Sequence, residues 1–227
     1  MSEFKRHIIK SCGARGSFMG KLVAWYSVAR QGVDSWESEH VLRDLSGCGR
    51  DMSWGPVVPA YNSGGYLVMT RWRTTGRAAL GVRLRKFTII CRYSGYSNSN
   101  PKSSYTQESD CAIVKKGCMS LLSMPSYEEP PMCFVGGKGT DVSEVFKTGG
   151  IAVMTNKVFY MADSAGSRIT LEKGTEPDSR GSELIVCSPR TSSDGWTAGF
   201  NFYDLVIFGV ELTEEEVNLV IETMINN

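Results

Sequence analysis

Residues 43–54, Arg-Asp-Leu-Ser-Gly-Cys-Gly-Arg-Asp-Met-Ser-Trp, gather side chains able to do chemistry. Asp44 and Asp51 bracket Ser46, Gly47, Cys48 and Gly49. Three kinds of site use such a composition. A calcium loop needs oxygen side chains at alternate positions, and here Leu45 and Arg50 interrupt them. A phosphate cradle delivers its glycines to a helix N-terminus, and no helical periodicity follows Met52. A tight turn needs glycines at positive φ and a short polar side chain that bonds back to nearby amides. Gly47 and Gly49 meet the first need, and Asp44 or Ser46 the second. The stretch is therefore predicted to be a structural turn.

Other reactive groups are scattered. His7 and His40 stand apart, and neither is accompanied by a Gly-x-Ser-x-Gly elbow. The seven cysteines contain no Cys-x-x-Cys pair and fit no zinc spacing. They are expected to be free thiols serving as small hydrophobes, and no metal site is predicted. Sugar binding needs an aromatic platform with polar groups around it. Aromatics on predicted loops are Trp36, Trp54, Tyr93, Tyr96, Tyr105, Tyr127 and Trp196. Of these, Trp36, Trp54, Tyr96 and Trp196 are taken as the candidate glycan contacts. Each would serve packing or an assembly contact equally well. Trp25 and Phe202 lie in predicted strands and are assigned to the core.

The elements that must position these residues are mostly strands. Apolar and aromatic runs at 21–28, 65–72, 85–93, 167–174, 183–188 and 198–208 predict single strands. Residues 111–124 predict two short strands around Lys115-Lys116-Gly117, and 149–163 a hairpin turning at Thr155-Asn156-Lys157. Residues 94–110 form a polar loop. Such spacing favours an all-β sandwich or barrel over a parallel α/β sheet. One helix stands out, at the end. Thr213 and Glu216 form a capping box, with Leu212 and Val217 as the hydrophobic staple. Three glutamates suit the positive helix end, and Val217, Val220, Ile221 and Met224 form one apolar stripe. Residues 1–20 predict an N-terminal arm, and 21–227 one domain.

The composition is globular, with 41% hydrophobic and 22% charged residues. No apolar run reaches the roughly 20 residues of a membrane helix, and no secretory signal peptide is visible, so no membrane insertion is expected. Net charge is +1, unevenly divided: residues 1–100 hold 15 basic and 6 acidic residues, and the remainder 10 and 18. The seven basic residues from Arg71 to Arg92, with no acid among them, could face nucleic acid. However, Val82-Arg83-Leu84-Arg85 alternates as a half-buried strand does, no nucleic-acid-reading module is visible, and no nucleic-acid partner is expected.

The two ends of the chain carry a family resemblance. "KLVAWYSV" followed by Asp44, Ser46, Gly47, Gly49 and Asp51 resembles the opening of LamG-like domains of the concanavalin A-like lectin/glucanase superfamily. "FNFYDLVIFGVELTEEEV" resembles their closing strand and helix. The resemblance implies a concanavalin A-like jelly-roll sandwich of two antiparallel sheets with a short C-terminal α-helix, its first and last strands adjacent. Glucanases of the superfamily carry Glu-x-Asp-x-Glu on one strand, which sets carboxylates on one face; retaining hydrolysis needs them about 5–5.5 Å apart. The nearest string here, Glu176-Pro177-Asp178-Ser179-Arg180, ends in the wrong charge and holds a strand-disfavoured proline. The chain is therefore expected not to be an enzyme. Some relatives bind calcium, but no full ligand set carries over, and no cofactor is expected. With its "KSCGARG" arm, the chain also resembles LamG-like proteins of phages and prophages of gut Bacteroidales. That implies a virion component assembled in the host bacterial cytoplasm, with other virion proteins or copies of itself as partners. The alternative is a lectin module that recognises a host or mucus glycan.

Overall fold

Ile89-Ile90-Cys91 and Leu205-Val206-Ile207-Phe208 are apolar at consecutive positions. Successive strand side chains point to opposite faces, so both faces of such strands need cover. In the computed structural model both are covered. The structure describes residues 18, 20–69, 74–82, 84–97, 111–116, 119–121, 132–135, 138–146, 149–155, 157–163, 165–172, 183–189 and 199–225.

Within them the strands are β1 (Leu22–Ser27), β2 (Val41–Leu42), β3 (Met52–Pro56), β4 (Ala60–Asn62), β5 (Tyr66–Val68), β6 (Thr74–Ala79), β7 (Thr88–Ser97) and β8 (Cys111–Lys116). They continue with β9 (Met119–Leu121), β10 (Met132–Val135), β11 (Lys138–Asp141), β12 (Gly150–Thr155), β13 (Phe159–Asp163), β14 (Arg168–Thr170), β15 (Glu183–Pro189) and β16 (Gly199–Phe208). The helices are α1 (Val28–Gln31), α2 (Val33–Glu39), α3 (Ser143–Phe146) and α4 (Glu214–Ile225).

Sheet A runs β14-β13-β12-β7-β16-β5-β4, with β1 also paired to β16; sheet B runs β2-β3-β6-β15-β8-β9; β10 and β11 form a separate hairpin. The strand pairs in both sheets are antiparallel. This is an all-β jelly-roll sandwich with one C-terminal helix, and its first and last strands are neighbours. The long β16 has β7 along one edge; along the other, Asn201 and Phe202 pair with β5 and Asp204–Phe208 with β1.

The inner face of sheet A meets sheet B through Tyr26, Ile89, Cys91, Met154, Leu205 and Ile207, opposite Leu42, Met52 and Ala78. Its outer face carries a second core. Trp25, Ile90, Val153, Val206 and Phe208 pack there beneath Val217, Val220 and Met224 of α4. Burying one such large apolar side chain stabilises by about 1.5–3 kcal/mol, against a net domain stability of about 5–15 kcal/mol. The helix is therefore a third layer of the fold. Its start follows the predicted box: the Thr213 amide donates to Glu216 at 2.8 Å, and the Glu216 amide to the Thr213 hydroxyl at 3.3 Å.

Residues 43–51 form a turn that seals the free edge of β1, and residues 52–54 begin β3. Asp44, 8% exposed, accepts from the amides of Trp25 (3.0 Å), Ser46 (2.9 Å) and Arg50 (3.1 Å). The Leu45 amide donates to the Trp25 carbonyl at 2.7 Å. Both edge-facing backbone groups of Trp25 are thus satisfied, which removes an exposed pairing edge. Gly47 and Gly49 sit at φ 82° and 69°. Asp51 holds the turn's base by accepting from the Asp44 amide at 2.8 Å and from Arg43 at 2.5 Å.

Several expectations change. Val82, Leu84 and Arg85 are not in a strand; they lie between β6 and β7, with Leu84 buried and Arg85 exposed. The polar loop starts later than predicted, because β7 continues to Ser97. Strands β2, β3, β4, β6, β10 and β11, and the three short helices, had no sequence prediction. The predicted arm is described only at Phe18 and Gly20. Phe18 is buried, with its ring 5.5 Å edge-on from Phe208, so this arm residue belongs to the outer core. Among the described cysteines, Cys48 and Cys91 are free thiols, and Cys91 and Cys133 are buried. No helix among the described residues is long and apolar enough to cross a membrane.

Candidate functional site

Past the C-terminal end of α4, the outward residues of the same strands change character. On β7, Ile90 beneath the helix gives way to Arg92 and Ser94; on β16, Phe208 and Val206 give way to Asp204, Tyr203 and Asn201. The pairing between β7 and β16 shifts register between Phe202 and Asp204. Tyr66 of β5 adds a second ring, 5.1 Å from that of Tyr203 and tilted by 45°. Arg30 comes from α1. The turn before β5 packs tightly on that helix, with Gly65, at φ 76°, leaving no room for a Cβ beside Ala29.

These groups form one connected patch. The Tyr203 and Ser94 hydroxyls hydrogen-bond at 2.8 Å, and the Asn201 amide donates to Ser94 at 3.4 Å. The Arg92 guanidinium lies 4.8 Å from the Tyr203 ring centre. It pairs with Asp204 at 3.4 Å and donates to the Met224 carbonyl near the end of α4 at 3.2 Å, where the helix dipole favours a cation. Arg30 stacks on Trp25 at 5.1 Å. Tyr66, Tyr203, Asn201, Ser94, Arg92 and Arg30 are all half-buried.

Among the described residues, Asp204 is the one carboxylate in this network, and it lies low. Its side chain is 9% exposed, against 33% for Arg92. Burial pushes its carboxyl above the usual range, while the Ser27 hydroxyl, Arg92 and Arg30 pull it back. The patch thus offers two guanidiniums over one shielded carboxylate, with two phenol rings, an amide and a hydroxyl. It can hold a polar ring compound against an aromatic surface. Its hydroxyls bond to each other, and among the described residues no imidazole accompanies them.

A concavity of about 270 Å³ lies elsewhere, between the β12–β13 hairpin and the start of α4. Val153, Val158, Leu212 and Val217 line it. Its charges are already matched, Arg168 to Glu214 at 2.5 Å and Lys157 to Glu211 at 3.4 Å. Arg168 also covers the Tyr160 ring at 3.7 Å.

The predicted glycan contacts fall elsewhere. Trp36 is not on a loop: it lies on α2, is 3% exposed, and packs edge-on to Trp54 at 6.2 Å. Trp54 lies on β3, half-buried, and its ring meets Phe202 at 6.3 Å. The structure brings these two tryptophans together, but as part of the packing between the sheets. Tyr93 is buried in the same core at 1% exposure. Tyr96 lies within β7. Trp196, Tyr105 and Tyr127 lie outside the described residues. Trp25 and Phe202 are core, as assigned. Among the described residues, no three His, Cys, Asp or Glu side chains gather as a metal site.

The patch residues escaped the sequence reading because they sit inside strands. One signal was present: polar residues at alternate positions, Arg92 and Ser94 or Asn201 and Tyr203, in strands otherwise apolar on both faces.

No protein-family model matches the chain, and no curated protein sequence matches it. Solved structures share its fold. The sialidase of Trypanosoma rangeli, solved in complex with sialic acid, matches 89% of this chain over 33% of its own, with a TM-score of 0.54 and 15% identity. The binding domain of botulinum neurotoxin serotype C1 matches 92% of this chain over 53% of its own, with a TM-score of 0.54 and 13% identity. The receptor binding domain of botulinum neurotoxin type G matches 89% over 51%, with a TM-score of 0.51 and 16% identity. The chain therefore spans about a third to a half of these chains. At such identities the likeness establishes the jelly-roll β-sandwich fold.

Proposed function

We propose that this chain is a non-catalytic recognition module that binds carbohydrate on the outer face of sheet A. The observation that carries the reading is the Tyr66–Tyr203 pair, 5.1 Å apart, ringed by Asn201, Ser94 and Arg92. Sugars present an apolar C–H face and a rim of hydroxyls. Aromatic rings take the first, and amide, hydroxyl and guanidinium groups the second. Two of the similar structures are binding domains of botulinum neurotoxins, about half of each being matched, which agrees with a binding role. Among the described residues, Asp204 is the one carboxylate in the patch, whereas glycoside hydrolysis ordinarily uses a pair flanking the bond. A glycan array tests the reading. The native protein retains immobilised glycans, and Tyr203→Ala weakens retention by about tenfold, the scale of one lost aromatic contact. No reducing ends are released from a soluble polysaccharide. Undiminished binding by the variant, or turnover, contradicts the proposal.

A second reading makes the chain a LamG-like virion component that assembles with copies of itself or other virion proteins. The charge division favours it, with 15 basic against 6 acidic residues before position 101 and 10 against 18 after. So does the seating of Phe18 on Phe208, which ties the arm to the sandwich. Mass spectrometry of purified particles from the source culture decides it: absence from the particles rules this reading out.

A further inference from the structure

Resting on the carbohydrate reading above, we infer that the sugar is acidic, with a carboxylate or sulfate held between Arg30 and Arg92. The inference comes from how charge is layered in the patch. Arg92 pairs with Asp204 at 3.4 Å, and Asp204 stands opposite Ser27, three residues before Arg30, yet that carboxylate is shielded, with its side chain 9% exposed. Arg92 is occupied on its inner side by Asp204 and the Met224 carbonyl, and a third of its side chain faces solvent. Arg30 is seated on Trp25 and makes no salt bridge to a carboxylate among the described residues. Among the described residues, two cations over one anion leave one positive charge unmatched. A group approaching from solvent meets that charge first.

The aromatic component places the anion on a ring compound. Arg92 stacks on Tyr203, which in turn faces Tyr66, so the phenol rings and the cations share one surface. Guanidinium binds carboxylate and sulfate through paired N–H donors, and such charged hydrogen bonds are about twice as strong as neutral ones. A neutral sugar would use the rings and Asn201 and leave the extra charge unmatched. Arg30 is the side chain to test, because Arg92 also anchors α4.

Binding is measured with two matched pairs of probes at low and high salt: oligogalacturonate with its methyl ester, and dextran sulfate with dextran. The native protein binds at least one charged probe roughly tenfold more tightly than its neutral partner, and added salt narrows the gap. Whichever charged probe wins identifies the anion. Arg30→Gln erases the preference and keeps the weaker neutral binding, whereas Tyr203→Ala weakens both. Lys157→Gln, on the remote hairpin with its side chain 80% exposed, changes nothing, which separates a site from general polyanion attraction. Equal binding of charged and neutral probes overturns the acidic-sugar inference and leaves the carbohydrate reading standing. A preference that survives Arg30→Gln overturns the placement. Failure of all four probes, with the protein folded, overturns both.

Discussion

Asp44 shows how a reactive-looking residue is consumed by the fold. Its carboxylate accepts three amides, from Trp25, Ser46 and Arg50, at 8% exposure. Asp44→Ala would leave these donors unpaired at the edge of β1, at a cost of roughly 3 kcal/mol. Urea unfolding measures it, and a loss under about 0.5 kcal/mol, the size of an ordinary surface substitution, would show that the turn is not held this way. Glycines spaced by one residue and acids on either side made this turn legible, because turn chemistry is local. Its long-range role was not, since nothing local says that Trp25 is the partner. Tyr26 adds a pH dependence. Burial, followed by the charges of Asp44 and Asp51, pushes its phenol well above the usual range, and its hydroxyl donates to the Arg50 carbonyl at 2.5 Å. The folded state therefore keeps a proton that the unfolded chain releases near about pH 10. Stability from this group is intact below that pH and falls as pH rises through it, by about 1.4 kcal/mol per unit. Unfolding midpoints between neutral and strongly alkaline pH should show this decline, and Tyr26→Phe should flatten it by one group's share. An unchanged slope would contradict the assignment.

At the scale of elements, the legible ones were those whose own residues contain the reason for them. The capping box and apolar stripe of α4 lie within about a dozen residues, and the hairpin around Thr155 is closed by that side chain, which accepts the Lys157 and Val158 amides. Strand β6, Thr-Thr-Gly-Arg-Ala-Ala, has no such signature. It is a strand because β3 and β15 flank it, a tertiary cause that overrides weak propensity. Trp36 failed as a loop residue for a similar reason: a short helix, α2, turns it into the core. The Gly149-Gly150 pair has a close-packing role at the start of β12. A Cβ on Gly150 would overlap the Ala162 carbonyl on one neighbouring strand, and one on Gly149, at φ 71°, the Ser94 backbone on the other. Gly150→Ala should therefore cost roughly 2–3 kcal/mol by overpacking, read as a lower thermal midpoint. A neutral result would mean that β12 and β13 separate more easily than their pairing implies.

For the whole molecule, the organising feature is a sheet covered on both sides, by sheet B within and by α4 without. The helix covers only part of the outer face. Where it ends, apolar side chains give way to tyrosine, arginine, asparagine and serine, and the fold presents a polar aromatic surface on rigid strands. The jelly-roll class was legible in the two chain ends and the strand spacing. The candidate site was not, because it is assembled from α1, β5, β7 and β16 and depends on a register shift that no periodicity announces. The central claim is that sugar is held at this surface. An NMR titration of the labelled protein with an oligosaccharide retained on the array tests it most directly. Saturating shift changes should concentrate at Arg30, residues 66–68, Arg92–Ser97 and Gly199–Asp204, and should vanish in Tyr203→Ala. Changes centred instead on the Thr155 hairpin and the start of α4, or on sheet B, would contradict the account.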